Sequence, residues 1–132
     1  MISKSPTVAD RMTKTPFLIG MEQSMRTAHE LMRNHRIRHL PVLHGGKLVG
    51  VVSLRDLHLV ESLSGVDPET VRVEEAMTQD VYAVPPKTPL KQVVSEMASR
   101  KLGSAVVIDG THVVGIFTAV DALETLAGTL EP

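Results

Sequence analysis

The chain has 132 residues and a net charge of −1 with histidine neutral, a balance that excludes a strongly basic nucleic-acid footprint. No apolar run approaches the roughly 20 residues needed to cross a bilayer, and the start MISKSPTVADRM lacks the apolar core of a secretory signal. There is no cysteine, which removes disulfides, thiolate metal sites and Cys nucleophiles together, so a cytoplasmic protein touching neither membrane nor nucleic acid is expected.

With Phe17, Tyr82 and Phe117 as the only aromatic residues, the core must be built from Val, Leu, Ile, Met and Ala. In chain order, TVADRM predicts one or two helical turns and PFLIG a short extended stretch. Ser24 then caps a helix whose stripe is Met25, Ala28, Leu31 and Met32. Pro41 disfavours helical geometry at Leu40, so that helix ends near Arg36. HLPVLH and KLVGVVS read as strands joined by the turn HGGK, and LRDLHLVESL as a closing helix. SGVDPET, residues 64–70, is a linker. The series then restarts: RVEEAM, the extended VYAVP, and a helix opened by Pro89 with Leu90, Val93, Val94, Met97 and Ala98 on one face. The strands SAVVID and HVVGIFT follow, joined at DGTH, and AVDALETLAG closes the chain's second half. Continuous Val/Ile/Leu strands predict sheets covered on both faces.

The restart is a duplication. Shifted by 65 residues, Val8–Leu59 aligns with Val73–Glu124 without a gap, with nine identities in 52 positions. They include Met12/Met77, Thr13/Thr78, Gly50/Gly115 and Asp56/Asp121. The expected class is α+β: two β-α-β-β-α repeats, residues 1–63 and 71–132, packed through their sheets about a pseudo-twofold axis. A unit of about 60 residues is marginal alone, so the two would share a core.

The phrase GVVSLRD at residues 50–56 returns as GIFTAVD at 115–121. Ser53 or Thr118 ends a strand and can cap the next helix, with Asp56 or Asp121 three residues on, which makes a capping box. The same corner also exposes free N–H groups and a positive helix end beside a hydroxyl and a carboxylate. Two carboxylate oxygens suit the paired hydroxyls of a ribose, and the preceding glycine permits close approach of backbone or ligand.

The phrase G-h-x-[ST]-x-x-D closing a β-α-β-β-α unit, with Met-Thr near each start, resembles the cystathionine-β-synthase (CBS) domain family. The resemblance covers nearly the whole chain in two copies and implies a tandem pair, or Bateman module. It implies a free-standing regulatory module, not an enzyme, that binds AMP, ADP or ATP, or else S-adenosylmethionine or a dinucleotide, between its repeats. No cofactor is required. A homodimer and an unidentified regulated protein are the partners implied. By the same resemblance, one cleft would use Val51, Ser53 and Asp56 facing Thr78, Tyr82, Ala83 and Leu102. The other would use Ile116, Thr118 and Asp121 facing Thr13, Phe17, Leu18 and Ile37. Arg38 and His39, replaced by Gly103 and Ser104 in the second repeat, favour phosphate at the Asp56 cleft. The alternative is a dimerisation scaffold with vestigial clefts, in which Ser53 and Thr118 only cap helices.

Six histidines invite a metal reading, but no HExxH or cysteine pattern supports it and no metal site is expected. The methionines at helical spacing read mainly as core. Leu57, Leu59, Val60 and Leu63, with Ala122, Leu123 and Leu126, supply the expected dimer surface.

Overall fold

Ser24 begins the first helix as expected. Its Oγ accepts the Thr27 N–H at 3.2 Å, and α1 spans Met25–His35. The computed structural model describes residues 5–132. Helix α1 stops at Arg36, which turns left-handed at φ 54°. Met25, Ala28 and Met32 are buried and Leu31 half-buried. Pro89 is the N-cap of the matching helix in the second repeat, Leu90–Arg100, which buries Leu90, Val93 and Met97. Ala98, expected on that stripe, is exposed: one residue past Met97 the helix has turned about 100° away from the core.

Among the described residues seven strands form: β1 (Thr13–Lys14), β2 (Ile19–Gly20), β3 (His39–His44), β4 (Lys47–Ser53), β5 (Ala83–Val84), β6 (Ser104–Asp109) and β7 (His112–Thr118). In addition to α1, the helices are α2 (Leu54–Glu61), α3 (Leu90–Arg100) and α4 (Ala119–Thr129), with 3-10 turns at Val8–Asp10 and Val73–Glu75. The hairpin β3–β4 turns through Gly45 and Gly46, and β6–β7 through Gly110, all at positive φ, where glycine is free of Cβ strain. Both hairpins shift register at equivalent points, between Val42 and Leu43 and between Val107 and Ile108. A bulge has therefore been kept in both copies.

The residues group into two compact units that do not follow the repeat boundaries. One, the Ser53 unit, is residues 17–81, with a sheet in the order β2-β3-β4. The other, the Thr118 unit, combines residues 82–132 with the N-terminal segment through Pro16, and its sheet order is β1-β7-β6-β5. Each hairpin is thus joined by the segment that opens the other repeat. Val73 lies in the Ser53 core with Met25, Ala28, Met32 and Leu57, and Val8 lies in the Thr118 core with Leu90, Val93 and Phe117. Strand β1, not anticipated from the sequence, pairs Thr13 with Ile116, and an isolated bridge pairs Thr78 with Val51. These two pairings are related by the same 65-residue shift.

Consecutive residues are buried in β3 (Leu40, Pro41, Val42) and β6 (Ala105, Val106, Val107), so both faces of those strands are shielded, as their continuous apolar runs predict. The two cores fill equivalent space differently. Val52 and Leu57 are fully buried in the Ser53 unit; their counterparts are fully buried Phe117 and half-buried Ala122. Volume moved from helix to strand with little change in the sum. Leu57, expected on a dimer surface, is 0% exposed because it closes the core under α2.

Candidate functional site

Strand β4 runs straight into α2 at Ser53, and β7 into α4 at Thr118, with no loop between. Both corners fold into reciprocal capping boxes. Ser53 Oγ accepts the Asp56 N–H at 3.1 Å, and Asp56 Oδ2 accepts the Ser53 N–H at 2.9 Å. At the other corner Thr118 Oγ1 accepts from Asp121 N at 3.2 Å, and Asp121 Oδ2 accepts from Thr118 N at 2.9 Å. All four residues are half-buried. Asp56 Oδ1 accepts no hydrogen bond from any described residue, whereas the Asp121 carboxylate also receives Thr13 Oγ1, 3.4 Å from each oxygen.

The Met-Thr pair that opens each repeat explains the glycine of the phrase. A Cβ on Gly50 would stand 2.9 Å from the Thr78 carbonyl and 3.0 Å from Met77 Cγ; one on Gly115 would stand 2.9 Å from Met12 Cγ. Both clashes are closer than ordinary van der Waals contact. The glycine makes room for the chain's own Met-Thr segment, the close approach of backbone that the sequence allowed beside that of a ligand. That segment in turn brings Thr13 to Asp121 and docks Thr78 on Val51 through a reciprocal backbone pair of 3.0 and 2.8 Å.

The corners differ in what precedes them. At the first, His39 faces Ser53 across the β3–β4 ladder, and the Leu54 N–H donates to the Arg38 carbonyl at 2.9 Å. Burial pushes the His39 imidazole below the ordinary histidine pKa; Asp56 opposes that shift and Arg38 reinforces it. That shift favours the neutral imidazole. At the second corner Ser104 faces Thr118 and the Gly103 carbonyl accepts from Ala119 N at 3.0 Å, so neither counterpart of Arg38 and His39 is basic. A cavity of about 370 Å³ beside Asp121 is lined by Asp10, Arg11 and Glu124, so three carboxylates surround a single guanidinium there.

Of the sequence-predicted residues, Arg38, His39, Val51, Ser53, Asp56 and Thr78 lie together in the Ser53 unit, and Thr13, Ile116, Thr118 and Asp121 in the Thr118 unit. Tyr82, Ala83 and Leu102 belong to the Thr118 unit. Tyr82 precedes β5 with the Arg100 guanidinium 5.5 Å above its ring, and Leu102 packs against that unit's core. Phe17, Leu18 and Ile37 belong to the Ser53 unit. Phe17, 44% exposed, stacks on His35 with centroids 3.7 Å apart and planes 14° off parallel. That stack escaped the sequence reading, since 18 residues separate its members and no short-range pattern marks it. Among the described residues no group of three or more His, Cys, Asp or Glu is arranged to hold a metal ion, and no helix is long and apolar enough to cross a membrane.

The CBS domain family model matches residues 8–60 and again 73–128. A homoserine O-acetyltransferase of Methanocorpusculum labreanum is 36% identical over 115 residues, which is 86% of this chain but 23% of that protein, so the chain spans under a quarter of that relative. The CBS domain-containing protein YhcV of Bacillus subtilis is 28% identical over 86% of this chain and 81% of its own length. Among solved structures, a CBS domain pair in complex with 5′-methylthioadenosine and S-adenosyl-L-methionine superposes with a TM-score of 0.87 at 26% identity, covering 96% of this chain and all of that one.

Proposed function

Because this chain belongs to the CBS domain family and carries the domain twice, we propose that its two strand-to-helix corners hold an adenosine-containing ligand and report its presence to a partner protein. The observation that carries the reading is the hydroxyl-and-carboxylate pair built at both strand-to-helix corners, joined at Asp121 by Thr13 and flanked at the other corner by Thr78 docked on Val51. A related pair has been solved with 5′-methylthioadenosine and S-adenosyl-L-methionine, which makes adenosyl compounds the first ligands to test. Asp56 and Asp121 would hold the ribose. Val51 at one corner and Ile116 at the other would bury an apolar face of the adenine. Arg38 and neutral His39 would favour AMP, ADP or ATP at the Asp56 corner, while the acidic surroundings of Asp121 suit an uncharged or cationic adenosyl compound.

The capping boxes support a second reading, a scaffold without a ligand, because they use both hydroxyls and carboxylates internally. One experiment separates the two. Thermal shift with AMP, ADP, ATP, S-adenosylmethionine and 5′-methylthioadenosine should show a ligand that stabilises by about 2.7 kcal/mol at 100 times its Kd. Asp56→Asn should weaken binding of the phosphorylated ligands and Asp121→Asn that of the others. A melting point unmoved by all five leaves the scaffold.

Self-association follows from α4, which buries no residue and exposes Val120, Leu123, Leu126 and Leu130, while α2 exposes Leu59 and Leu63. A homodimer covering these leucines should sediment as a single species of twice the chain mass. The pair Leu123→Glu and Leu126→Glu should return it to monomer.

A further inference from the structure

We infer that the Ser53 unit carries an oligophosphate-binding groove on the helix side of its sheet, separate from the Asp56 carboxylate. The groove, about 570 Å³, lies between the C-terminal end of α1 and the first turns of α2. Arg33, Arg36 and Arg38 line it, with His29 and His58 at its α2 side, over a floor that includes Met32 and Ile37. No acidic residue lines it. The three guanidinium groups make no ion pair with any described residue, in contrast to Arg26 with Glu30 and Glu69, Arg72 with Glu74, and Arg100 with Glu96. His29 Nε2 is engaged by Glu61, which fixes its ring at the groove wall. Three planar donors around a cavity of ligand size suit phosphate oxygens, which they can grip in bidentate fashion.

The duplication supplies an internal control. The counterparts of His29, Arg33, Arg38 and His58 are Val94, Ala98, Gly103 and Leu123, so the second repeat keeps one cation, Lys101, where the first has five basic residues. Helix packing and dipole compensation require the same of both copies, because both helices end in the same left-handed turn, at φ 54° and 56°. The extra charge is therefore not demanded by the fold. Arg36 also occupies a left-handed position that glycine fills with less strain.

The proposal stands whether or not the corners bind adenosine. Its test is isothermal calorimetry of the full chain with inorganic diphosphate at about 20 mM salt, where surface charges are weakly screened. Binding that weakens as salt rises is expected, and Arg33→Ala with Arg36→Gly should lower affinity about tenfold or more. The glycine keeps the left-handed turn, and a far-ultraviolet circular dichroism melt checks the fold. Arg55→Ala, on α2 outside the groove, should leave diphosphate binding within about twofold. An ADP arm identifies the source. ADP binding tighter than diphosphate, with only the excess lost in Asp56→Asn, assigns a nucleotide's phosphate tail. Equal binding of both assigns a free oligophosphate, and either result upholds the groove. Absence of diphosphate binding, its survival in the Arg33/Arg36 variant, or equal loss in Arg55→Ala overturns it.

Discussion

The Ser53 and Thr118 units are two copies of one design, and where they agree marks what the backbone requires. Both keep the hydroxyl-to-carboxylate capping box, the glycine beneath a Met-Thr segment, the bulged hairpin and the left-handed helix end. They part company in how the core is filled and in charge. Leu57 reaches from α2 into the first core, whereas Phe117 fills the second from its strand and leaves Ala122 on α4. Freed from filling the core, α4 turns its leucines outward. Arginines without acids line a groove in one unit, whereas in the other unit's cavity Asp10, Asp121 and Glu124 outnumber Arg11. Each difference lies on side chains that the shared backbone leaves unspecified.

The sharpest way to break the comparison is to exchange the fillings. Leu57→Ala alone should destabilise by about 2–5 kcal/mol in denaturant unfolding. Adding Val52→Phe, which copies the Phe117/Ala122 arrangement, should restore a substantial part of that; no recovery would show that the two cores are not equivalent in shape. Next, Gly115→Ala should cost about 1–3 kcal/mol, and Met12→Ala in the same chain should relieve it by making room for the new methyl. An additive pair of losses would refute the packing argument for the repeated glycine. The smallest effect is specific to one unit. Burial lowers the His39 pKa in the folded state, so the unfolded chain binds the proton more readily and stability falls as pH drops below the ordinary histidine value of about 6.5. His39→Ser, which copies Ser104, should flatten that part of the stability–pH curve.

Much of the fold is legible in the chain because a pattern written twice filters chance. The Ser24 cap, the helix end at Arg36, both Gly-containing turns and the capping boxes each follow from local chemistry read at two places. Strand β1 is not legible, since two residues of Thr-Lys carry no period and acquire their pairing from a hairpin about a hundred residues away. Nor is the exposure of Ala98, the burial of Leu57 or the stack of Phe17 on His35, all of which are decided by packing at long range. Of the groove, Arg36 and Arg38 stand out in RNHRIRH, but the contributions of His29 and His58 depend on how α1 meets α2.

The mismatch between repeats and compact units has a consequence for biosynthesis. The Ser53 unit is one uninterrupted stretch and can close as soon as Val81 has left the ribosome. Strand β1, made before that unit, must wait unpaired until β7 emerges, so a segment translated early is among the last to be locked in place.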